Sequence, residues 1–134
     1  LEVLGDQALS QKYKSFVIDV AQTALDEGFD KINGCMENKQ DGHERDRTRV
    51  WWIQAETLVG FYNAYELTGA PAFLEACQKQ ADWIENYQVD KTGGEWWFYV
   101  DADGKPILTE AKGGNWKTSY HNGRACMELI RRLS

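Results

Sequence analysis

The sequence predicts an all-α protein of stacked helical hairpins, with outer helices alternating with inner ones. Apolar residues recur at threes and fours in four separate stretches. Those stretches alternate between helices that are apolar on one side and helices that are apolar around much of the circumference. Glycine, proline and the capping residues Asp6, Thr48, Thr118 and Ser119 stand where such helices would start and stop.

The opening Leu1-Glu2-Val3-Leu4 reads as the end of a helix that Gly5-Asp6 terminates, as if the chain began inside it. From Asp6 as cap, Leu9, Tyr13, Phe16, Val17, Val20, Ala21, Ala24 and Leu25 form one stripe, opposite Lys12, Lys14, Asp19, Gln22 and Asp26. This one-sided pattern marks an outer helix, which Gly28 ends. Residues 29–49 are polar and broken by glycine, and read as a long loop. His43 lies there among Asp41, Glu44 and Asp46; without a recognised ligand spacing, the group reads as a solvated charge run rather than a metal site.

Thr48 is placed to cap a second helix over residues 49–67. Trp51, Ala55, Leu58, Tyr62 and Tyr65 form a stripe, while Trp52, Val59 and Phe61 put apolar groups on other sides, so this is an inner helix. Trp52, Glu56, Gly60 and Asn63 fall four, four and three apart and share a face. Buried polar groups cost about 1 to 3 kcal/mol each when unpaired, so this face looks onto water, a ligand or a structural hydrogen-bond network.

Thr68-Gly69-Ala70-Pro71 is a stop followed by a start. The third helix, to about Tyr87, carries Leu74, Cys77, Ala81 and Ile84 on one side and is again outer. Residues 95–100, the turn Asp101-Ala102-Asp103-Gly104 and residues 105–108 read as a hairpin whose aromatic run packs a loop onto the helix ends. Thr118 or Ser119 caps the last helix, with Ala125, Cys126, Leu129, Ile130 and Leu133 on its apolar side and Arg131 and Arg132 at its negative end.

His121 falls in the first turn of that helix, where the positive end of the macrodipole disfavours an imidazolium. A neutral histidine beside Trp116 and Tyr120 suits a general base next to a flat apolar face. From the residues alone it could equally be a polar residue at a helix entrance.

Lys112-Gly113-Gly114-Asn115-Trp116-Lys117 followed by Tyr120-His121-Asn122-Gly123-Arg124 resembles the C-terminal signature of cellobiose 2-epimerases, within the N-acylglucosamine 2-epimerase superfamily. A second similar block runs from Val50-Trp51-Trp52-Ile53-Gln54-Ala55-Glu56 to Gly60-Phe61-Tyr62-Asn63-Ala64-Tyr65-Glu66-Leu67-Thr68-Gly69. Asp26-Glu27-Gly28-Phe29-Asp30, Val89-Asp90 and Gly94-Glu95-Trp96 extend it. One departure is Thr118-Ser119, where the family often has Cys-Pro. The resemblance implies an (α/α)6 barrel of which residues 1–134 are the C-terminal third, the N-terminal part being missing. It also implies a cofactor-free epimerisation at C2 of a ring-opened sugar, with His121 as one of two bases and the other upstream. Trp116 and Trp52, or Trp51 by register, would stack on sugar rings. Face geometry adds Glu56, Asn63 and Arg124 as binding residues.

The implied substrate is the reducing-end glucose of a β-1,4-disaccharide such as cellobiose. Rival readings are an N-acylglucosamine 2-epimerase, an aldose-ketose isomerase, a glycoside hydrolase on a similar barrel using Glu56, and a non-catalytic sugar-binding piece. On its own the segment is expected to be inactive and open to self-association. A net charge of −6 and no Lys/Arg cluster argue against nucleic acid, and no apolar run approaches ~18 residues. Cys35, Cys77 and Cys126 lack paired spacing and read as reduced cytoplasmic thiols, two of them in helix cores.

Overall fold

The computed structural model describes residues 5–134, so the helical stump expected at residues 1–4 lies outside the described residues. Helix α1 (Gln7–Thr23) starts where expected: Asp6 Oδ1 accepts from the Leu9 amide at 2.9 Å, a cap worth about 1 kcal/mol. A widened π-type turn, Ala24–Gly28, then delivers the chain into extended Phe29.

The loop expected over residues 29–49 is instead folded into short antiparallel pairs. Strand β1 (Phe29–Asp30) pairs with β2 (Cys35–Met36), and β3 (Lys39–Asp41) pairs with β4 (Glu44–Asp46). Asp30 closes the first turn by accepting from the Ile32 and Asn33 amides, both at 3.1 Å. Gly42 turns the second at a φ of 57°. Strands of two or three residues leave no period to detect, and β3 and β4 are exposed throughout.

Thr48 does not cap the second helix; its amide donates to Asp46 Oδ1 at 2.9 Å. Arg49–Val50 forms strand β5, and helix α2 (Trp51–Thr68) begins at Trp51, whose amide finds Phe98 O at 3.2 Å. The hairpin thus supplies the acceptor that a capping side chain was expected to provide. Buried residues lie on several sides of α2, from Trp51 and Gln54 to Phe61 and Ala64, and α1, α3 and α4 all pack against it. It is the inner helix that its composition predicts.

Gly69, left-handed at φ 70°, ends α2 with its amide on Tyr65 O at 2.7 Å. Pro71 opens α3 (Pro71–Trp83), which continues through a second π-type turn, Ile84–Gln88. Its buried side is Phe73, Ala76, Cys77, Gln80 and Trp83, whereas Ala81, placed on the stripe by apolar periodicity, is exposed. The correction has a polar cause. Gln80 Nε2 donates to Gln54 Oε1 at 2.8 Å, and Gln54 exchanges bonds with the backbone of Met36 at 3.1 and 2.9 Å. Two fully buried glutamines therefore sit where hydrophobicity alone expects aliphatic residues.

The expected hairpin exists as β6 (Tyr99–Val100) and β7 (Pro106–Ile107), and β5 joins it to give the order β5-β6-β7. Helix α4 (Tyr120–Leu133) packs on α2 through buried Ala125. Cys126, expected in a helix core, is exposed, as are Ile130 and Leu133; Cys35 and Cys77 are the buried thiols, and all three are unpaired. No helix among the described residues is long and apolar enough to cross a membrane.

The turn regions are held by an ion cluster in which Asp30, Glu37 and Arg49 are buried while Arg45 and Arg47 are half-exposed. Asp30 Oδ2 accepts from Arg47 and Arg49, both at 3.0 Å, and from Asn33 Nδ2 at 2.8 Å, while Glu37 takes Arg45 and Arg47. Burial pushes the Asp30 carboxyl up, but the donors from Asn33, Arg47 and Ile32 outweigh it and hold it at about 2. Its unfolded value is about 3.9, so it contributes about 2 kcal/mol at neutral pH. Because the folded value is the lower one, this stabilisation is complete above pH ~4 and disappears as pH falls toward 2. Urea midpoints of wild type and Asp30→Asn should accordingly differ at pH 6 and converge by about pH 2. A gap that does not change with pH would contradict the assignment.

Candidate active site

Two helices carry the polar face. Trp52, Glu56 and Asn63 lie on α2, and His121 and Arg124 lie in the first turns of α4, which packs across it. His121 is where helical periodicity places it, although the Ser119 side chain makes no cap; Thr118 Oγ1 accepts weakly from the Tyr120 amide at 3.4 Å.

His121 Nδ1 is 2.8 Å from Glu56 Oε1, and Arg124 Nη2 donates to the other oxygen, Oε2. An ionised carboxylate only accepts, so the contact selects the imidazole tautomer with its proton on Nδ1. The Nε2 lone pair is then left to take a proton from a ligand. His121, Glu56 and Arg124 are each about one-third exposed, at 35, 34 and 33%. They are therefore reachable while still held.

The rings around the imidazole sort the two tryptophans. Trp51 is buried and meets His121 edge-on at 6.5 Å, while Trp52 is 42% exposed and lies 5.9 Å away, tilted by 44°. Trp52 is thus the indole with a face available to a ligand. Tyr120 adds a third ring at 5.0 Å. Trp52, Glu56 and Asn63 also border a groove of about 820 Å³ whose other wall is the apolar side of α1 at Phe16, Val17 and Val20; His121 and Arg124 do not line it.

Two candidates stand apart from the imidazole. Asn63 lines the groove about 10 Å further along α2, where its Oδ1 accepts from Arg132 Nη1. Trp116, in the loop before α4, is 89% exposed and is not stacked on His121. His43 occupies the exposed turn between β3 and β4.

A second polar set, which the chemistry of the sequence did not single out, lies behind the first turn of α4. Glu95 Oε1 accepts from Lys117 Nζ at 3.0 Å, Asn122 Nδ2 at 2.7 Å and the Trp96 amide at 2.9 Å. Lys117 is 2% exposed although charged. The available signal was positional: Lys117 and Asn122 directly follow Trp116 and His121.

Comparison with known proteins gives the same fold and family. A family profile described as N-acylglucosamine 2-epimerase (GlcNAc 2-epimerase) matches residues 5–125. A cellobiose 2-epimerase of Ruminococcus albus is 40% identical over 132 residues, covering 98% of this chain and 33% of the relative. An N-acylglucosamine 2-epimerase of Bos taurus is 34% identical over 88 residues, covering 63% of this chain and 20% of that protein. The crystal structure of a sugar epimerase from a ruminal bacterium superposes with a TM-score of 0.92 at 39% identity, over 98% of this chain and 33% of its own. A cellobiose 2-epimerase from Bacillus thermoamylovorans superposes at 0.85 and 39% identity, over 96% and 32%. These neighbours are (α/α)6 barrels, in which alternate helices form the outer and inner rings. The chain spans about a third of the length of the relatives it matches, and it belongs to the N-acylglucosamine 2-epimerase family.

Proposed function

We propose that this chain is the C-terminal third of a sugar 2-epimerase barrel and supplies one of its two acid-base groups, His121. The contact of His121 Nδ1 with Glu56, which leaves Nε2 free beside the exposed face of Trp52, carries this reading. In the complete enzyme the ring-opened sugar presents a C2–H acidified by the neighbouring aldehyde. One base takes that proton, the C–H electrons form the C1–C2 double bond of an enediolate, and the conjugate acid of the other base returns a proton to the opposite face. Nothing is oxidised or reduced overall, so the step needs no cofactor. Trp52 and Trp116 would offer flat faces to the apolar C–H surfaces of the sugar, and Arg124, bonded to its second oxygen, would hold the Glu56 side chain in place.

The proposed substrate is the reducing-end glucose of a β-1,4-disaccharide, converted to mannose. The cellobiose 2-epimerase of Ruminococcus albus matches along 98% of the chain, against 63% for the bovine N-acylglucosamine 2-epimerase. Glu56 has both oxygens engaged by His121 and Arg124, which leaves it poorly placed as the proton-donating carboxyl of a glycoside hydrolase. The test is a chimaera in which this chain replaces the matched third of the Ruminococcus albus enzyme. A folded chimaera should form the mannose epimer from cellobiose. Release of free glucose, or turnover of N-acetylglucosamine alone, would contradict the proposal.

The described residues leave apolar flanks uncovered. Phe16 and Val20 on α1 are 62 and 53% exposed, and Met127, Ile130 and Leu133 on α4 are 67, 65 and 69% exposed. In the complete barrel these flanks would meet neighbouring hairpins. The isolated chain should therefore be inactive and self-associate, as read by light scattering after size exclusion. A monodisperse monomer that turns over cellobiose would overturn this expectation.

A further inference from the structure

We propose that Glu95 is a positioning residue: through Lys117 and Asn122, its carboxylate fixes the loop bearing Trp116 and the first turn of α4 bearing His121. The inference rests on the sugar-epimerase reading above.

Three donors converge on one oxygen, Glu95 Oε1, and two of them belong to residues adjoining the proposed machinery. Lys117 follows Trp116 and Asn122 follows His121, so each arm of the network ends one residue from a group meant to meet the sugar. Lys117 is further tied by donating to Lys112 O at 2.7 Å, which closes the loop on itself. Its ammonium also lies 5.6 Å from the ring of Trp51, whose ring in turn meets His121 edge-on. A displaced Lys117 would therefore reach the imidazole by two routes, along the chain and through the indole.

The backbone points the same way. Glu95 has a φ of 65° directly after Gly94 at 70°, and it is the one non-glycine residue with positive φ among the described residues. That region favours glycine, so a carboxylate kept there signals a demand for the side chain. Burial pushes the Glu95 carboxyl up, but the Trp96 amide and Lys117 outweigh it and keep it below its ordinary range. It therefore faces the buried ammonium as a carboxylate. An ammonium this deeply buried is tolerated only when paired.

A simpler role would be to fasten the loop before β6 to α4 for stability alone, and the two roles separate experimentally. In the complete enzyme, Glu95→Gln should lower kcat for cellobiose about 10²-fold, the effect of misplacing a catalytic group by about 1 Å, with KM within about threefold. Glu95→Gln combined with Lys117→Met removes the stranded ammonium. This double variant should recover much of the lost Tm without recovering kcat. Recovery of kcat together with Tm would overturn the proposal, as would wild-type kcat in Glu95→Gln. If the single variant fails to fold, the double variant decides alone: folded with full kcat, it refutes the positioning role. His121→Ala run alongside keeps the two readings apart. An inactive His121→Ala with an unimpaired Glu95→Gln defeats only this inference, whereas an active His121→Ala defeats the epimerase mechanism itself.

Discussion

His121→Ala in the complete enzyme should abolish the interconversion of glucose and mannose at the reducing end of cellobiose. A single general base contributes about 10² to 10⁴-fold, and with two bases on opposite faces neither can complete the inversion alone. The loss should fall on kcat, because Trp52 and Glu56 belong to α2 and stay in place without the imidazole. Chromatographic analysis of the epimer formed is the measurement, and turnover within tenfold of wild type would remove His121 from the mechanism. In the proposed mechanism Glu56 would act through His121 rather than on the sugar. It fixes the tautomer at a 2.8 Å contact that joins the two helices, as an outer partner orients a catalytic or metal-bound histidine.

Arg49→Ala should cost about 3 to 5 kcal/mol, the scale for removing one partner of a buried ion pair. Arg49 is 1% exposed, and its guanidinium donates to Asp30 Oδ2 at 3.0 Å, to Arg47 O at 2.6 Å and to Cys35 Sγ at 2.9 Å. It belongs to β5, which pairs with β6 and leads directly into Trp51 and Trp52. Its loss should therefore loosen the start of the inner helix as well as the turn regions. Guanidinium chloride unfolding measures the cost, and a loss below about 1 kcal/mol would show that Arg47 and Asn33 satisfy Asp30 unaided.

The helices were legible in the sequence because each obeys a local rule. Asp6 caps α1, Gly69 adopts the left-handed conformation that ends α2, and Pro71 fits the first turn of α3. The departures arise where tertiary partners decide. Thr48 has the chemistry of a cap, but the Trp51 amide already has Phe98 O, so the helix starts two residues later than a Thr48 cap would set it. Gln54 is fully buried because it bonds Gln80 and both backbone groups of Met36, and Gln80 is held inside through that same bond, which no hydrophobic period reveals. Cys126 and Leu133 satisfy the period of α4, yet they face outward because none of the described residues covers that side.

The candidate site shows the same division. Spacing along one helix placed Trp52 and Glu56 on a common face, and a helix start placed His121 in a first turn, but their meeting depends on how α2 and α4 cross. Asn63 satisfies the same spacing and still ends on Arg132, because seven residues of helix carry it about 10 Å from Glu56. Glu95 was beyond reach of pattern alone. Its importance lies in bonds spanning 22 and 27 residues, to Lys117 and Asn122.

Hydrogen exchange at C2 in deuterated water, followed by proton NMR on each epimer separately, interrogates the base directly. If His121 serves one face and a second group the other, His121→Asn will form no epimer yet will still exchange the C2 hydrogen of one member of the pair. Washout from both members at wild-type rates would mean that the proton never travels through His121.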